Sequence, residues 1–250
     1  MKPFVRIVLT VAAVAGAGLS LFGCASVQRR LLYFPSHLDL ATGLTPWMHE
    51  GQIIGYAHEV TSPKNIWLML HGNGGQAAHR ASALPFFAQD DSIYILEYPG
   101  YGLRGGKPSM KSINEAATIA YDLLQKRFPS HPICILGESL GSGPACFLAS
   151  GSRPPDKLVL IVPYDELARV AAGHYPFLPV RLILRDNWNN LTALANYRGP
   201  LEIYAEKSDT VIPINHAKNL ATSKPQTIFH ELSGGHNDWT MDSAVQIRNP

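Results

Sequence analysis

The sequence predicts an α/β domain built on a mostly parallel, doubly wound sheet. Short β-branched and aromatic runs alternate with helix-length stretches along residues 51–250. Most of the short runs are apolar on both faces, as strands are when helices cover both sides of a parallel sheet. The length of 250 residues, with 46% hydrophobic and 16% charged residues, suits one globular domain and argues against a disordered chain.

The individual elements follow from these runs. We expect strands at residues 53–58, 66–70, 93–97, 133–136, 158–162, 201–205 and 227–232. We expect helices near residues 76–88, 113–127, 140–149, 213–222 and 237–247. Ser112 with Glu115 three residues later matches a capping box, so we expect Ser112 to cap the second of these helices.

Residues 163–199 break the alternation of strands and helices. Prolines and aromatic residues are frequent in this segment, which is too long for a plain connection. We expect an insertion of short helices that caps a pocket. An ordinary crossover helix with irregular ends is the alternative.

The N-terminal residues have the composition of a secretory signal. Lys2 and Arg6 precede an apolar run at residues 7–21, as in a signal peptide. The following Leu21-Phe22-Gly23-Cys24 resembles the bacterial lipobox, in which the cysteine is diacylated and becomes the first residue. We therefore divide the chain into a signal peptide (1–23), an anchor and leader (24–50) and the α/β domain (51–250).

The lipobox resemblance also implies a location. A lipid anchor at Cys24 attaches the chain to a membrane, and retention in the inner membrane commonly needs Asp at the next position. Ala25 stands there, which implies the periplasmic face of the outer membrane. An uncleaved membrane anchor and simple secretion remain alternatives.

Charge and motif content exclude several partners and cofactors. Lys and Arg number 21 against 19 Asp and Glu, and two of the basic residues lie in the signal peptide, so no basic excess indicates nucleic-acid binding. No His or Cys pair has metal-ligand spacing, and no P-loop or dinucleotide fingerprint occurs. We expect neither a metal nor a cofactor.

Two cysteines lie within the α/β domain. Cys134 falls in a strand-like run and Cys146 in a helix-like stretch, and both have the surroundings of small buried apolar residues. A disulfide between them is the alternative in an oxidising compartment.

The strongest local motif is Gly137-Glu138-Ser139-Leu140-Gly141. It follows a predicted strand and opens a helix rich in small residues, which is the context of a nucleophile elbow. The elbow projects the serine hydroxyl from the sheet, and glycines flank it because side chains there would collide with the neighbouring strand or helix. We predict that Ser139 is a nucleophile.

A second glycine-rich motif, His71-Gly72-Asn73-Gly74-Gly75, follows the strand at 66–70. Backbone N–H groups of such a loop can stabilise the negative charge of a tetrahedral intermediate. We assign the oxyanion hole to the N–H groups of Asn73 and Leu140. His71 lies upstream of the serine, so we expect it to brace the loop.

The acid and the base should follow later strands, in that order. Asp209 follows the strand at 201–205, and His236 follows the strand at 227–232. Both lie after the carboxyl ends of strands, where open α/β sheets form their sites. We predict Asp209 as the orienting acid and His236 as the base, with Glu206 and Asp238 as alternative acids.

Together these motifs resemble the α/β-hydrolase superfamily from about residue 50 to the end, and most of all its small-cap branch that includes depalmitoylases. The motifs that carry the resemblance are His71-Gly72-Asn73-Gly74, Glu97-Tyr98-Pro99-Gly100-Tyr101-Gly102, the elbow, Asp209 with Val211-Ile212-Pro213, and Gly235-His236. Glu97 and Pro99 depart from the branch's usual Asp-Tyr-Arg-Gly-Tyr-Gly. The resemblance implies hydrolysis of an ester or thioester through an acyl-enzyme. A peptidase of the same fold and a non-catalytic binding lipoprotein are the alternatives.

Overall fold

The computed structural model describes residues 25–249, so the predicted signal peptide and Cys24 lie outside the described residues. The strands are β1 (Phe34–Pro35), β2 (Thr45–His49), β3 (Gln52–His58), β4 (Asn65–Leu70), β5 (Gly74–Gly75), β6 (Asp91–Leu96), β7 (Ile133–Glu138), β8 (Lys157–Ile161), β9 (Leu201–Glu206) and β10 (Ile228–Leu232). Eight of them form the central sheet in the order β10-β9-β8-β7-β4-β6-β3-β2, and β1 pairs with β5.

The central sheet is parallel from β10 to β6, and antiparallel pairs at one end add β3 and β2. This confirms the predicted mostly parallel α/β fold. Strand β2 was not predicted, because Trp47 is its one buried residue and Pro46 weakens the strand pattern. Its position at the edge of the sheet accounts for both features.

Alternating side chains of the central strands build one core on each face of the sheet. In β4, Ile66, Leu68 and Leu70 pack into one core, while Trp67 and Met69 pack into the other. All six residues of this strand are buried. Burial on both faces explains why the strand sequence is continuously apolar.

The helices within residues 25–249 flank this sheet. They are α1 (Ala25–Leu32), α2 (Met110–Arg127), α3 (Ser142–Ala149), α4 (Leu167–His174), α5 (Val180–Ile183), α6 (Asn190–Leu194) and α7 (Asn215–Ser223), with 3₁₀ helices at Ala77–Phe86, Ser139–Gly141 and Asp238–Met241. In this part of the chain, every helix is too short or too polar to span a bilayer.

The start of α2 corrects the predicted capping box. Ser109, not Ser112, is the N-cap, and its Oγ accepts a hydrogen bond of 3.0 Å from the Ser112 backbone N–H. Ser112 lies inside the first turn, where its hydroxyl donates to the Lys107 carbonyl. Ser109 has the extended backbone that a capping residue needs, so the helix begins three residues earlier than predicted.

The helix predicted at residues 237–247 is also wrong. Only Asp238–Met241 is helical, as a single 3₁₀ turn. The Asp242 carboxylate then accepts a hydrogen bond from the Ala244 N–H, a local bond that competes with a helix. Beyond it, Val245 and Ile247 are buried in a core of the sheet.

Cys134 and Cys146 are free and buried, which rules out the alternative of a disulfide between them. Cys134 packs into one core and Cys146 into the core on the opposite face of the sheet. Burial raises the pKa of the Cys134 thiol to about 12, and it also raises the pKa of Cys146. Both residues behave as small apolar side chains, as expected.

Residues 163–199, which we call the cap segment, contain the three short helices α4, α5 and α6. The buried Asp165 joins its start to α7, because its carboxylate binds the side chains of His216 (2.6 Å) and Asn219 (2.8 Å). The Arg169 guanidinium also donates to it. Burial alone raises the pKa of Asp165, but the hydrogen bonds from His216 and Asn219 outweigh burial and hold the pKa below its ordinary value.

The elbow glycines permit close packing between β7, β4 and α3. A Cβ on Gly141 would lie 2.0 Å from the Leu70 carbonyl oxygen, and one on Gly137 would lie 2.6 Å from the Ala145 Cβ. Both contacts are far below van der Waals separation. The structure therefore agrees with the expectation that side chains at these two positions would collide with the neighbouring strand and helix.

Replacing Gly141 should test this packing. We expect Gly141→Ala to lower the free energy of unfolding by about 2 kcal/mol or more, since the new methyl group must displace the β4 backbone. Urea denaturation followed by circular dichroism measures the change. Gly105→Ala is the control, because nothing lies within 4 Å of its added methyl group. Equal stability of the two variants would contradict the packing.

Asp165 generates a prediction with a pH dependence. Because its pKa is lowered in the folded chain, its stabilisation is present above the unfolded pKa of about 4 and is lost as the pH falls through the folded value. We expect Asp165→Asn to lower the free energy of unfolding by about 3 kcal/mol at pH 7, and by less at about pH 3.

The matched control is Asp122→Asn, which removes an exposed ion pair with Arg153 and should cost less than about 1 kcal/mol. Urea unfolding at the two pH values measures both variants. A difference between the parent and Asp165→Asn that does not change with pH would refute the role of the ionised carboxylate.

Candidate active site

Ser139 lies at the sharp turn between β7 and α3. Its backbone φ is 50°, in the left-handed region that a non-glycine residue rarely adopts. Its side chain is largely buried at one side of a cavity. The turn directs the hydroxyl away from the carboxyl end of β7, towards the loops that follow β9 and β10.

Those two loops bring His236 and Asp209 to Ser139. The Ser139 Oγ lies 2.9 Å from the His236 Nε2, and the His236 Nδ1 lies 2.7 Å from the Asp209 Oδ2. The three side chains thus form one continuous hydrogen-bonded chain. The three residues are far apart in the sequence: Asp209 follows Ser139 by 70 positions, and His236 follows Asp209 by 27.

The two oxygens of Asp209 have different partners. Oδ1 accepts hydrogen bonds of 2.8 Å from the backbone N–H groups of Val211 and Ile212, which fixes the carboxylate on its loop. Oδ2 faces the imidazole. An ionised carboxylate only accepts hydrogen bonds, so this contact requires the proton on Nδ1 and leaves Nε2 to accept from Ser139.

The two alternative acids bind the backbone of the His236 loop rather than the imidazole. Glu206 accepts a hydrogen bond of 2.6 Å from the Gly234 N–H, and Asp238 accepts one of 2.8 Å from the Gly235 N–H. Burial, together with the nearby Asp242 and Asp238, raises the pKa of Glu206. Both carboxyl groups therefore hold the loop that carries His236.

His71 is fully buried beneath the glycine-rich loop after β4. Its Nδ1 lies 2.7 Å from the Gly72 carbonyl oxygen, and its Nε2 lies 3.3 Å from the Glu97 carboxylate. Its ring packs on Tyr98 at 4.1 Å between centroids. These contacts support the loop from below, in agreement with a bracing role.

The side chain of Asn73 joins the glycine-rich loop to the leader. Its Oδ1 accepts from the Phe34 N–H (3.2 Å) and the Tyr101 hydroxyl (2.9 Å), while its Nδ2 donates to the Leu32 carbonyl (2.5 Å). These bonds orient the backbone of Asn73. Asn73 and Leu140, the two residues assigned to an oxyanion hole, line the same cavity as Ser139.

Residues 98–101 form a tight turn rather than part of the cavity wall. The Tyr101 N–H donates to the Tyr98 carbonyl (2.9 Å), and Gly100 at the third position has a φ of 83°. Pro99 fits the second position of such a turn. Glu97 and Pro99, the two residues that differ from the usual motif of the branch, do not line the cavity. Their effect is therefore on the turn and the loops that support the cavity.

The leader is the first contribution that sequence reasoning missed. Strand β1 pairs with β5 in the glycine-rich loop, with Phe34 opposite Gly74, and Leu32 and Phe34 line the cavity beside Ser139. The apolar run at residues 31–34, in a leader of mixed polarity, was a signal for packing at the domain edge. Its pairing partner lies about 40 residues away and has no local signature.

Glu138 is the second missed contribution. Its Oε2 accepts from the Arg80 Nε (2.5 Å) and the Gly72 N–H (3.2 Å), and its Oε1 accepts from the Trp239 Nε1 (3.4 Å). One side chain thus connects the elbow, the glycine-rich loop and the segment after His236. A charged residue between an apolar strand and small residues needs partners, which was a usable signal.

The cavity beside Ser139 has a volume of about 310 Å³. The cap segment supplies Tyr164, Leu167 and Val170 to its wall, opposite the loops that carry the three hydrogen-bonded side chains. Within residues 25–249, no group of three or more His, Cys, Asp or Glu side chains is arranged to hold a metal ion.

Comparisons with known proteins agree with this architecture, although no family model matches the chain. The uncharacterized protein Rv2307c of Mycobacterium tuberculosis is 32% identical over 248 residues, covering 92% of this chain and 88% of that protein. The lysophosphatidylserine lipase ABHD12 of Danio rerio is 26% identical over 191 residues, covering 66% of this chain and 48% of that protein.

Among solved structures, the Pyrococcus furiosus esterase Pf2001 superposes with a TM-score of 0.63 at 14% identity, covering 83% of this chain and 95% of the esterase. At this identity the likeness concerns the fold. With the sheet order, the elbow and the relatives named above, it shows that the chain belongs to the α/β-hydrolase superfamily, in one family with Rv2307c.

Proposed function

We propose that this chain is a serine hydrolase that cleaves an ester or thioester through an acyl-enzyme intermediate. The observation that carries the proposal is the hydrogen-bonded chain from the Ser139 Oγ through the His236 imidazole to the Asp209 carboxylate. These three groups in this order can activate a hydroxyl as a nucleophile.

In the first half of the reaction, the Ser139 Oγ attacks the carbonyl carbon of the substrate as its proton passes to the His236 Nε2. Asp209 stabilises the imidazolium that forms. The imidazolium then gives the proton to the departing alcohol or thiol, and the acyl group remains bound to the Ser139 Oγ.

The second half repeats these proton transfers with water. His236 takes a proton from the water as its oxygen attacks the acyl carbon, and it returns that proton to the Ser139 Oγ when the carboxylic acid leaves. The position of the imidazole between Ser139 and Asp209 suits both transfers.

The backbone N–H groups of Asn73 and Leu140 form the oxyanion hole in this mechanism. The Gly72 N–H is already bonded to Glu138, so the next amide along the loop is the donor on that side. Leu140 follows the nucleophile, and its amide is at the start of the short helix at the elbow. Two such donors stabilise the tetrahedral oxyanion.

For the substrate we propose an acyl ester or thioester with an apolar acyl chain. Leu32, Leu167, Val170 and Ile212 give the cavity apolar walls. The relative named as a lysophosphatidylserine lipase supports single-chain lipid esters as one class, although this chain spans about half of its length. The resemblance to small-cap depalmitoylases supports long-chain thioesters such as palmitoyl groups as a second class.

We also propose that the chain is a lipoprotein, anchored through Cys24 on the periplasmic face of the outer membrane. The support is the basic start, the apolar run at residues 7–21 and the lipobox-like residues 21–24. Outside this anchor we propose neither a nucleic-acid partner nor a cofactor.

Substitution of the nucleophile tests the reaction. Ser139→Ala should abolish labelling by a fluorophosphonate probe and lower hydrolysis of acyl esters by about 10³-fold or more, because no other hydroxyl occupies its position. Ser150→Ala, at the exposed end of α3, should leave both unchanged. A parent chain that the probe does not label would favour a binding protein, and faster cleavage of peptides than of esters would favour a peptidase.

The anchor has its own test. Intact-mass measurement of the protein from the membrane fraction should show a chain that begins at Cys24 and carries added acyl groups. Cys24→Ala should lack that mass and keep its signal peptide, because no thiol remains for acylation. An unmodified parent chain in the soluble fraction would refute the anchor.

A further inference from the structure

Helix α1 and the cap segment both carry exposed apolar side chains, which we call the cap face and define as Leu31, Tyr175, Phe177 and Leu182. Phe177 is 97% exposed and Leu182 is 87% exposed, while Leu31 and Tyr175 are each 59% exposed. Single exposed apolar residues are common on proteins, but several on adjoining segments indicate an interaction site.

An apolar groove of about 320 Å³ lies between α1 and the cap segment, and Leu31 and Tyr175 of the cap face line it. Its main lining residues are Leu31, Leu32, Tyr175, Leu178, Ile183 and Leu184. Leu32 also lines the cavity beside Ser139. The groove and the cavity thus have one wall in common.

Hydrogen bonds hold the two halves of the cap face together. The Gln28 side chain donates to the Ile183 carbonyl (2.5 Å) and accepts from the Arg185 N–H (3.0 Å). Arg29 and the Tyr33 hydroxyl both bind Asp186 at 3.0 Å. These bonds fix α1 against residues 183–186 of the cap segment, the element that also carries Phe177 and Leu182.

The charge around the cap face has one sign. Residues 25–38 and 167–185 contain no Asp or Glu. Arg30, Arg181 and Arg185 are exposed, and within residues 25–249 none of the three forms an ion pair, whereas Arg29 and Arg169 pair with Asp186 and Asp165. Exposed apolar side chains among unpaired arginines are complementary to an anionic lipid surface.

The chain that precedes α1 points to the same partner. Cys24, the proposed site of acylation, directly precedes α1 at Ala25, and that helix ends seven positions later at Leu32. The lipid anchor proposed above would therefore join the domain beside the cap face. We propose that the cap face docks on an anionic phospholipid bilayer, with Phe177 and Leu182 inserted among the lipids and the arginines at the headgroups.

This docking is independent of the chemistry proposed at Ser139, and the full chain can test it. An environment-sensitive fluorophore is attached through Phe177→Cys, and the control label through Ile228→Cys. Ile228 is 55% exposed at the amino end of β10, on the opposite edge of the sheet from the cavity. The acylated parent chain treated with the same reagent gives the background, since Cys134 and Cys146 are buried and Cys24 is the residue proposed to be acylated.

With vesicles of phosphatidylcholine and phosphatidylglycerol, the label at 177 should shift to shorter wavelength and be quenched by nitroxide-labelled lipids, while the label at 228 should not. Vesicles of phosphatidylcholine alone should give a smaller shift. Arg181→Glu combined with Arg185→Glu should reduce the shift on the anionic vesicles, because the attraction of the surface is lost.

Three results would overturn the proposal. The label at 177 could keep the emission wavelength of a water-exposed fluorophore on vesicle-bound protein. It could shift without vesicles at every protein concentration, which would assign the groove to the acyl groups of the chain's own proposed anchor. It could shift without vesicles in proportion to concentration, which would assign the cap face to a second copy. Fluorophosphonate labelling of each variant reports the fold and the site separately, so a failure of the proposed chemistry does not affect this result.

Discussion

The left-handed backbone of Ser139 is the constraint on which the rest of the site depends. A non-glycine residue at a φ of 50° is strained, and it persists because the surrounding packing allows no other path. Gly141 lies against the backbone of β4 and Gly137 against α3, so the chain must reverse within a few residues. The strain fixes the direction of one hydroxyl with a precision that a flexible loop could not provide.

Buried and half-buried acids supply the complementary constraint on the other loops. Glu206 and Asp238 bind the backbone around His236, Asp209 binds its own loop, and Glu138 links the elbow to two neighbouring segments. Carboxylates accept several hydrogen bonds at once, and they are therefore suited to fixing backbone N–H groups that no strand pairs. Side-chain hydrogen bonds thus hold the loops at this edge of the sheet where backbone pairing does not.

The sequence was sufficient for the features with local signatures. Parallel strands covered on both faces are apolar throughout, so β4 and β7 were visible, and the order of Ser139, Asp209 and His236 followed from the strands before them. The Ser112 cap was wrong because two serines three residues apart both fit a cap, and only the backbone conformation of Ser109 distinguishes them.

Features that depend on distant partners were not predictable. The end of the chain after Met241 is apolar enough for a helix, but contacts with the 3₁₀ helix at Ala77–Phe86 hold it in another path. The pairing of β1 with β5 and the three-way contacts of Glu138 likewise join residues far apart in the sequence. The hydrophobic pattern of a short stretch of sequence carries no information about such distant contacts.

The attachment of the leader to the glycine-rich loop limits the distance between the cavity beside Ser139 and the start of α1. Helix α1 spans about 12 Å from Ala25 to Leu32, and Leu32 forms part of the cavity wall, so no slack chain separates the two. A tether fixed at residue 24 would hold Ser139 within a thin layer above its support. For a substrate that resides in the membrane, turnover would then follow the number of substrate molecules per unit area of that layer rather than the number per unit volume.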